Sequence, residues 1–484
     1  MNRKRLWISP PPPIVLAMTL VLAFAGLAAA ADAGLRAGAA VSNITPPLGG
    51  DIVGNFLPIT AKHIHDQLHA RCLVLDDGHT RLALVVCDLL GIDRVVSDEA
   101  RKLIDKATGI GREQVLISAT HTHSATSALG EERFRFDQPL DEYQRFVATR
   151  IADGVACAAN NLRPAELAFV TVEAPEHVFN RRWHMRPGSI PPNPFGGSDL
   201  VKMNPPAGSP NLLDPAGPTD PTVSIIAVRG VDGRPISVFS AYSLHYVGGV
   251  GPGHISADYY GMFCDELAHL LDAERLDPPF VAIMANGTSG DINNINFRTP
   301  RPRAEAYHQM RVVAHDVARK VADGLGAAKY TAAIKLDARY REPQIAVRLP
   351  DEEQLAWANK RLAGAAPEPG KADLSYIYAK RVLEMAKYPV KIPIALQVLR
   401  IGPVCIGTMP NEVFSEIGLD FKRRAPLAGS FMVELNHGYY GYLPTPRQHE
   451  LGGYETWLST NRLEKHASEK MLAELLEMSA EIAK

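Results

Sequence analysis

The sequence predicts an α/β protein with mostly parallel or mixed sheets flanked by helices. Three observations carry this. Aliphatic runs rich in β-branched residues recur along the chain, and each stops abruptly at polar, Gly-rich or His-containing sequence. The runs are continuous rather than alternating, which suits strands buried on both faces. Amphipathic stretches of helical length separate many of them, and this alternation argues for an α/β arrangement with a mostly parallel sheet.

In chain order the strand candidates are RCLVLDD, RLALVVCDLLGID, QVLISATHTHS, PISVFSAYSLHYVGG, PFVAIMANGTSGD and PVCIGTMPNE. The helix candidates are DEYQRFVATRIADGVACAANNL, SADYYGMFCDELAHLLDAERL and RAEAYHQMRVVAHDVARKVADGL. Two regions break the rhythm. Residues 181–222 are dense in Pro and Gly, and a stretch of that length is expected to be an ordered active-site wall, because Trp183, Met185, Phe195 and Met203 give it something to bury. Residues 349–392 contain DEEQLAWANKRLAG and SYIYAKRVLEMAK and read as a helical insertion before the strand PIALQVLRIG. Residues 34–484 are expected to form a single catalytic domain.

Residues 1–33 read as a secretory signal peptide. Arg3, Lys4 and Arg5 precede the apolar run IVLAMTLVLAFAGLAAAA, which closes at Ala31-Asp32-Ala33. The mature protein is therefore expected in the periplasm or outside the cell, with no stable membrane anchor. With 51 basic and 53 acidic residues among 484, the net charge of -2 provides no broad basic field, so nucleic acid is not an expected partner. The five cysteines contain no Cys-x-x-Cys pair, which excludes a disulfide framework and a thiolate zinc site.

The polar strand ends carry the chemistry. In open α/β sheets, ligands sit beyond the carboxyl ends of strands. His121 and His123 are two apart in ISATHTHS, so an extended tail points both imidazoles to one face. His245 ends SAYSLH, NGTSGD spans Asn286 to Asp291, and Glu412 follows GTMP. Imidazoles and a carboxylate from separate strand ends form the ligand set of a catalytic zinc with one position open to water. Each element has a plainer alternative: a hydrogen-bonded structural His, a carboxylate favoured by a helix dipole, a tight Gly turn. On pattern alone the reading is a metallohydrolase.

Together the motifs AAVSNITPPLGG, HDQLHARCLVLDD, ISATHTHS, FNRR, SLHYVGG, NGTSGD, PNE, NHGYYGYLPT and GGYET resemble the neutral, non-lysosomal ceramidase family, exported zinc amidohydrolases that cut the N-acyl bond of ceramide. The resemblance spans nearly the whole mature chain. It implies a zinc ion held by His121, His245, Glu412 and Tyr442, the last Tyr of GYYGY. It implies that His123 faces the reacting carbonyl, and that Arg181 of FNRR and Tyr454 of GGYE line it. Two departures stand out. Where ceramidases carry a serine in Gly-Asp-Val-Ser-Pro-Asn, this chain reads Gly290-Asp291-Ile292-Asn293-Asn294, so Asn293 can at most orient substrate and hydrolysis must run through activated water. The C-terminal β-sandwich domain typical of ceramidases is expected to be missing.

The expected function is zinc-dependent hydrolysis of an N-acyl amide, with a small-molecule, lipid or glycoconjugate substrate. The first alternative is a zinc-assisted glycoside hydrolase, to which Trp183, Phe195, Tyr439, Tyr440 and Trp457 would offer stacking rings. The second is an exported binding protein that has lost catalysis. Oligomeric state is not legible.

Overall fold

The computed structural model describes residues 34–130, 133–368 and 370–484; the expected signal peptide at 1–33 lies outside them. Eight strands form the large sheet: β1 (Arg36–Asn43), β2 (His69–Asp76), β3 (Arg81–Cys87), β4 (Val115–Ala119), β5 (Arg163–Glu173), β6 (Thr222–Gly230), β7 (Pro235–Tyr242) and β8 (Val281–Asn286), in the order β8-β7-β6-β5-β1-β2-β3-β4. A second sheet holds β9 (Leu336–Arg341), β10 (Leu396–Ile401), β11 (Val404–Met409) and β12 (Phe431–Glu434) in that order.

The sheets are mixed, as expected, but the large one is not mostly parallel. Among the described residues its two outermost pairings, β7 with β8 and β3 with β4, are parallel, and the five between them are antiparallel. The reason is that the uninterrupted apolar runs report burial of two faces, not strand direction. In β2, Leu73 and Leu75 face the second sheet, where they join Leu399, Ile401 and Val404, while Cys72 and Val74 face the helices. Every residue of such a strand is buried whichever way its neighbour runs.

Four layers result. The helices α1 (Arg94–Thr108) and α2 (Glu142–Asn160) cover one half of the outer face of the large sheet, and α3 (Asp258–Leu270) and α4 (His308–Leu325) cover the other. The helices Ser415–Arg424 and Ala467–Ala483 cover the second sheet through Ile417, Phe421, Met471, Leu475 and Met478. At α2, Asp141 accepts the Gln144 N–H while Gln144 reaches back to the Asp141 N–H, a reciprocal cap that fixes where the helix starts.

The insertion region holds the helices Glu352–Ala363 and Leu374–Met385. The Pro-rich region is ordered as a three-stranded sheet of Val201–Met203, Arg182–Met185 and Leu212–Pro215. All five cysteines are free thiols, four of them buried. No helix of the described residues is long and apolar enough to cross a membrane.

Candidate metal centre

The large sheet is curled until its edge strands β4 and β8 come into contact, with β12 of the second sheet beside both. The polar segments that leave β4, β7, β11 and β12 meet there. His121 follows β4, and its backbone turns into the left-handed region at φ 68, so the extended tail that would have put both imidazoles on one face is not formed. The two imidazoles converge through this turn instead, with Nε2 of His121 3.2 Å from Nε2 of His123. A β-carbon-bearing residue held at positive φ is strained and persists where its surroundings over-determine it; here its N–H donates to Leu89 O at 2.9 Å and its Nδ1 reaches Leu90 O at 2.7 Å.

The second contact fixes the tautomer. A carbonyl can only accept, so Nδ1 of His121 carries a proton and, in the neutral ring, Nε2 presents a lone pair. His245 follows the same logic: its Nδ1 lies 3.1 Å from Ser289 O and 3.1 Å from Ser289 Oγ, and the Ser289 hydroxyl donates to Glu434 at 2.7 Å. A carboxylate behind a serine thus orients the imidazole and leaves Nε2 free, the support that metal-ligating histidines commonly have.

Glu412 pairs with Tyr442 in a two-residue parallel ladder that crosses from the β11 end to the β12 end. Its Oε2 lies 3.2 Å from His121 Nε2 and 3.7 Å from His245 Nε2. Both Oε2 and His245 Nε2 are buried without a hydrogen-bond partner. Lone pairs from two imidazoles and a carboxylate therefore face one another, and a cation placed among them satisfies all three. The donor set fits zinc, which takes imidazole nitrogen and carboxylate oxygen.

The electrostatics agree. Burial opposes ionisation of Glu412, yet the neighbouring His121, then Tyr439 and Tyr442, hold its carboxyl down to about 2. Burial, then the charge of Arg181, keeps His245 well below the ordinary imidazole value; burial and His121 do the same for His123. Neutral imidazole and ionised carboxylate are the forms that bind metal. Burial raises the Tyr442 phenol well above its ordinary value over the opposing charge of Arg181. His121, His123 and His245 bring ligand nitrogens within 4.8 Å of one another, so His123 is near enough to share an ion with them.

Arg181 closes one side. Its Nε donates to Glu455 Oε1 at 3.0 Å, its Nη2 to Gly290 O at 2.9 Å, and its Cζ stands 5.3 Å from the centre of the Tyr442 ring. Burial works against its charge, but Tyr442, Glu455 and Glu412 overcome this and its pKa lies well above the ordinary guanidinium value. Tyr454 meets the Tyr442 ring edge-on at 5.8 Å. Asn293 is the outlier. Its amide donates to Asn204 Oδ1 at 3.1 Å and its Oδ1 accepts from Asn294, so its side chain is tied to neighbouring amides and not to the histidines.

Several contributors escaped the sequence reading. Glu455 binds Arg181 and also accepts from Arg182 Nη1 at 2.7 Å, so one buried carboxylate anchors both arginines of FNRR. Tyr439 donates to Glu412 Oε1. Ser289 and Glu434 support His245. The GTSGD turn is built for close approach: a β-carbon on Gly290 would stand 2.5 Å from Glu412 O, and Asp291 accepts from Ser415 N at 2.8 Å and Asn180 Nδ2 at 2.7 Å. The rings that motivated a glycoside reading are committed to packing in part. Trp183 is 5% exposed against Phe297, Phe195 packs on Trp357 and Tyr378, and Tyr440 is buried.

Comparison with solved structures decides the architecture. Neutral ceramidase from Pseudomonas aeruginosa superposes with a TM-score of 0.69 at 18% sequence identity, covering 93% of this chain and 75% of that one. The chain has the neutral ceramidase fold. A ceramidase complexed with C2 matches equally well, at a TM-score of 0.69 and 18% identity over 93% of this chain and 76% of that one. No protein-family profile matches the sequence. The ceramidase fold here carries its converging imidazoles, carboxylate and phenol on segments leaving both sheets.

Proposed function

We propose that the chain is an exported zinc-dependent hydrolase that cleaves the N-acyl amide of a ceramide-like or related substrate. The observation that carries the reading is the trio of mutually facing lone pairs on His121 Nε2, His245 Nε2 and Glu412 Oε2, two of those atoms buried without a partner. With Tyr442, these residues would hold the ion. When bound, zinc supplies Lewis acidity, polarising a carbonyl and bringing water toward ionisation at neutral pH.

The remaining steps fall to the chain. Arg181, locked on Glu455 and Gly290 O, offers a fixed cation to the oxyanion that develops as the amide becomes tetrahedral. Tyr454 adds a phenol donor from the same side. His123 Nε2, neutral because it is buried, accepts a proton from the attacking water and returns it to the departing amine nitrogen. Asn293 cannot replace a nucleophilic serine, and at most it orients substrate.

The testing experiment is a screen of N-acyl lipids and aryl glycosides with the zinc-loaded and the chelated protein. The reading expects amide hydrolysis that chelation abolishes and zinc restores. Hydrolysis of a glycoside with no amide cleaved would sink it.

A further inference from the structure

Three guanidinium groups stand on or near the aromatic rings that flank the candidate metal centre. Arg133 Cζ stands 5.1 Å from the centre of the Tyr439 ring. Arg381 Cζ stands 5.8 Å from that of Phe56 and 5.3 Å from that of Tyr378. Arg462 donates through Nε to Ser459 O at 3.0 Å, while its Nη1 is buried and meets no hydrogen-bond partner. Burial, then Arg133 and more weakly Arg381, lower the Arg462 guanidinium to about 10 over the opposing effect of Tyr439 and Tyr388. Among the described residues none of the three forms an ion pair. The contrast with Arg181 and Arg182, which share Glu455, is plain.

The three are half-buried, so a ligand can reach them, and a guanidinium donor that is buried and unmet costs free energy until an acceptor arrives. Its position says what that is. Tyr439, beneath Arg133, donates its hydroxyl to Glu412, and Phe56, beneath Arg381, meets Tyr454 edge-on at 6.1 Å. The cations therefore begin one aromatic ring away from the groups that would hold the metal and line the scissile carbonyl. Planar guanidinium forks suit a carboxylate or a tetrahedral oxyanion, and the rings below them suit an apolar chain.

We propose that the substrate of this site carries an oxyanion group, and that Arg133, Arg381 and Arg462 bind it while the amide lies at the histidine cluster. The reaction assigned to the amide rests on the function proposed above; the anion site rests on the arginines alone.

The test compares N-lauroylglycine with its uncharged counterpart N-lauroylglycinamide, and adds N-lauroyltaurine to separate carboxylate from sulfonate. Values of kcat/KM are measured with the zinc-loaded full chain, and dissociation constants with the same chain after chelation, where turnover stops. The charged compounds should bind about 10-fold more tightly than the neutral one at low salt, and the preference should shrink at high salt. Arg133→Gln and Arg381→Gln should each reduce it, and Arg462→Lys, which keeps the charge without the fork, should retain part of it. Equal binding of charged and neutral compounds, or a preference untouched by these variants, overturns the proposal. If no amide is cleaved while the charged compounds still bind in a salt- and arginine-dependent way, the hydrolase reading fails and the anion site stands.

Discussion

His245 Nε2 and Glu412 Oε2 face each other across 3.7 Å, both buried and neither with a hydrogen-bond partner. Left so, a carboxylate and an imidazole lone pair repel. The purified protein is therefore expected to hold close to one equivalent of zinc, and His245→Ala and Glu412→Ala to hold far less. Chelation should lower the thermal midpoint, because an ion present at 1,000 times its dissociation constant adds about 4 kcal/mol. Metal analysis and melting curves with and without chelator check both statements.

His123→Ala separates a ligand from a proton carrier. The assigned role predicts zinc content near that of the parent with turnover reduced about 10²- to 10⁴-fold. Loss of zinc with the side chain would move His123 into the ligand set, which its 3.2 Å approach to His121 permits.

Gly54 supports His123 from behind. Its φ is +107, and a β-carbon there would stand 2.6 Å from His123 Nδ1. Gly54→Ala should push the imidazole out of place. A displacement of about 1 Å can cost on the order of 10²-fold in rate, so kcat should fall while zinc content holds. An unchanged kcat would show that His123 does not need this position.

Glu455 is the counter-charge of two buried arginines. Removing one partner of a buried pair costs roughly 3–5 kcal/mol, so Glu455→Gln should lower the urea midpoint sharply. Arg181→Ala should be milder in stability, because Arg182 keeps the carboxylate paired, yet should cost about 10²- to 10³-fold in kcat as a lost oxyanion donor.

Acid stability has an assignable contributor. Burial, then Arg348, lowers His449 to about 3. Between that value and 6.5 the unfolded chain binds a proton there that the folded chain does not, so the contribution of His449 is complete above pH 6.5 and declines as pH falls. Asp258 and Asp291, raised by burial to about 6, act in the opposite sense. The informative comparison is with His449→Gln, whose urea midpoint should fall less steeply than the parent's between pH 7 and 4.5.

Much of this architecture is legible in the sequence. QVLISATHTHS is readable as a buried strand that ends in ligands because β4 is buried along its whole length and stops at Ala119. DEYQRFVATRIADGVACAANNL is readable as α2 because its cap and its apolar stripe agree. Strand direction is not legible, because two-sided burial erases the alternation that would betray an antiparallel pair. β5 escaped because its exposed and buried residues intermix, and β12 because it is four residues long. At the site, residue types that bind metal announce themselves, whereas the anchoring of Arg181 by Glu455 joins residues 274 apart and leaves no local mark. The turn at His121 leaves little mark, since Thr-His-Thr-His holds no Gly and a histidine, though more tolerant than most, adopts positive φ only uncommonly.

The two imidazoles come from the curled sheet, and the carboxylate and phenol from segments that leave its smaller companion. An ion bridging them would act as a rivet between halves of the chain made at different times during synthesis. A nascent polypeptide halted before residue 404 would own the nitrogens but no oxygen donor, so metal capture would mark the moment at which assembly is finished.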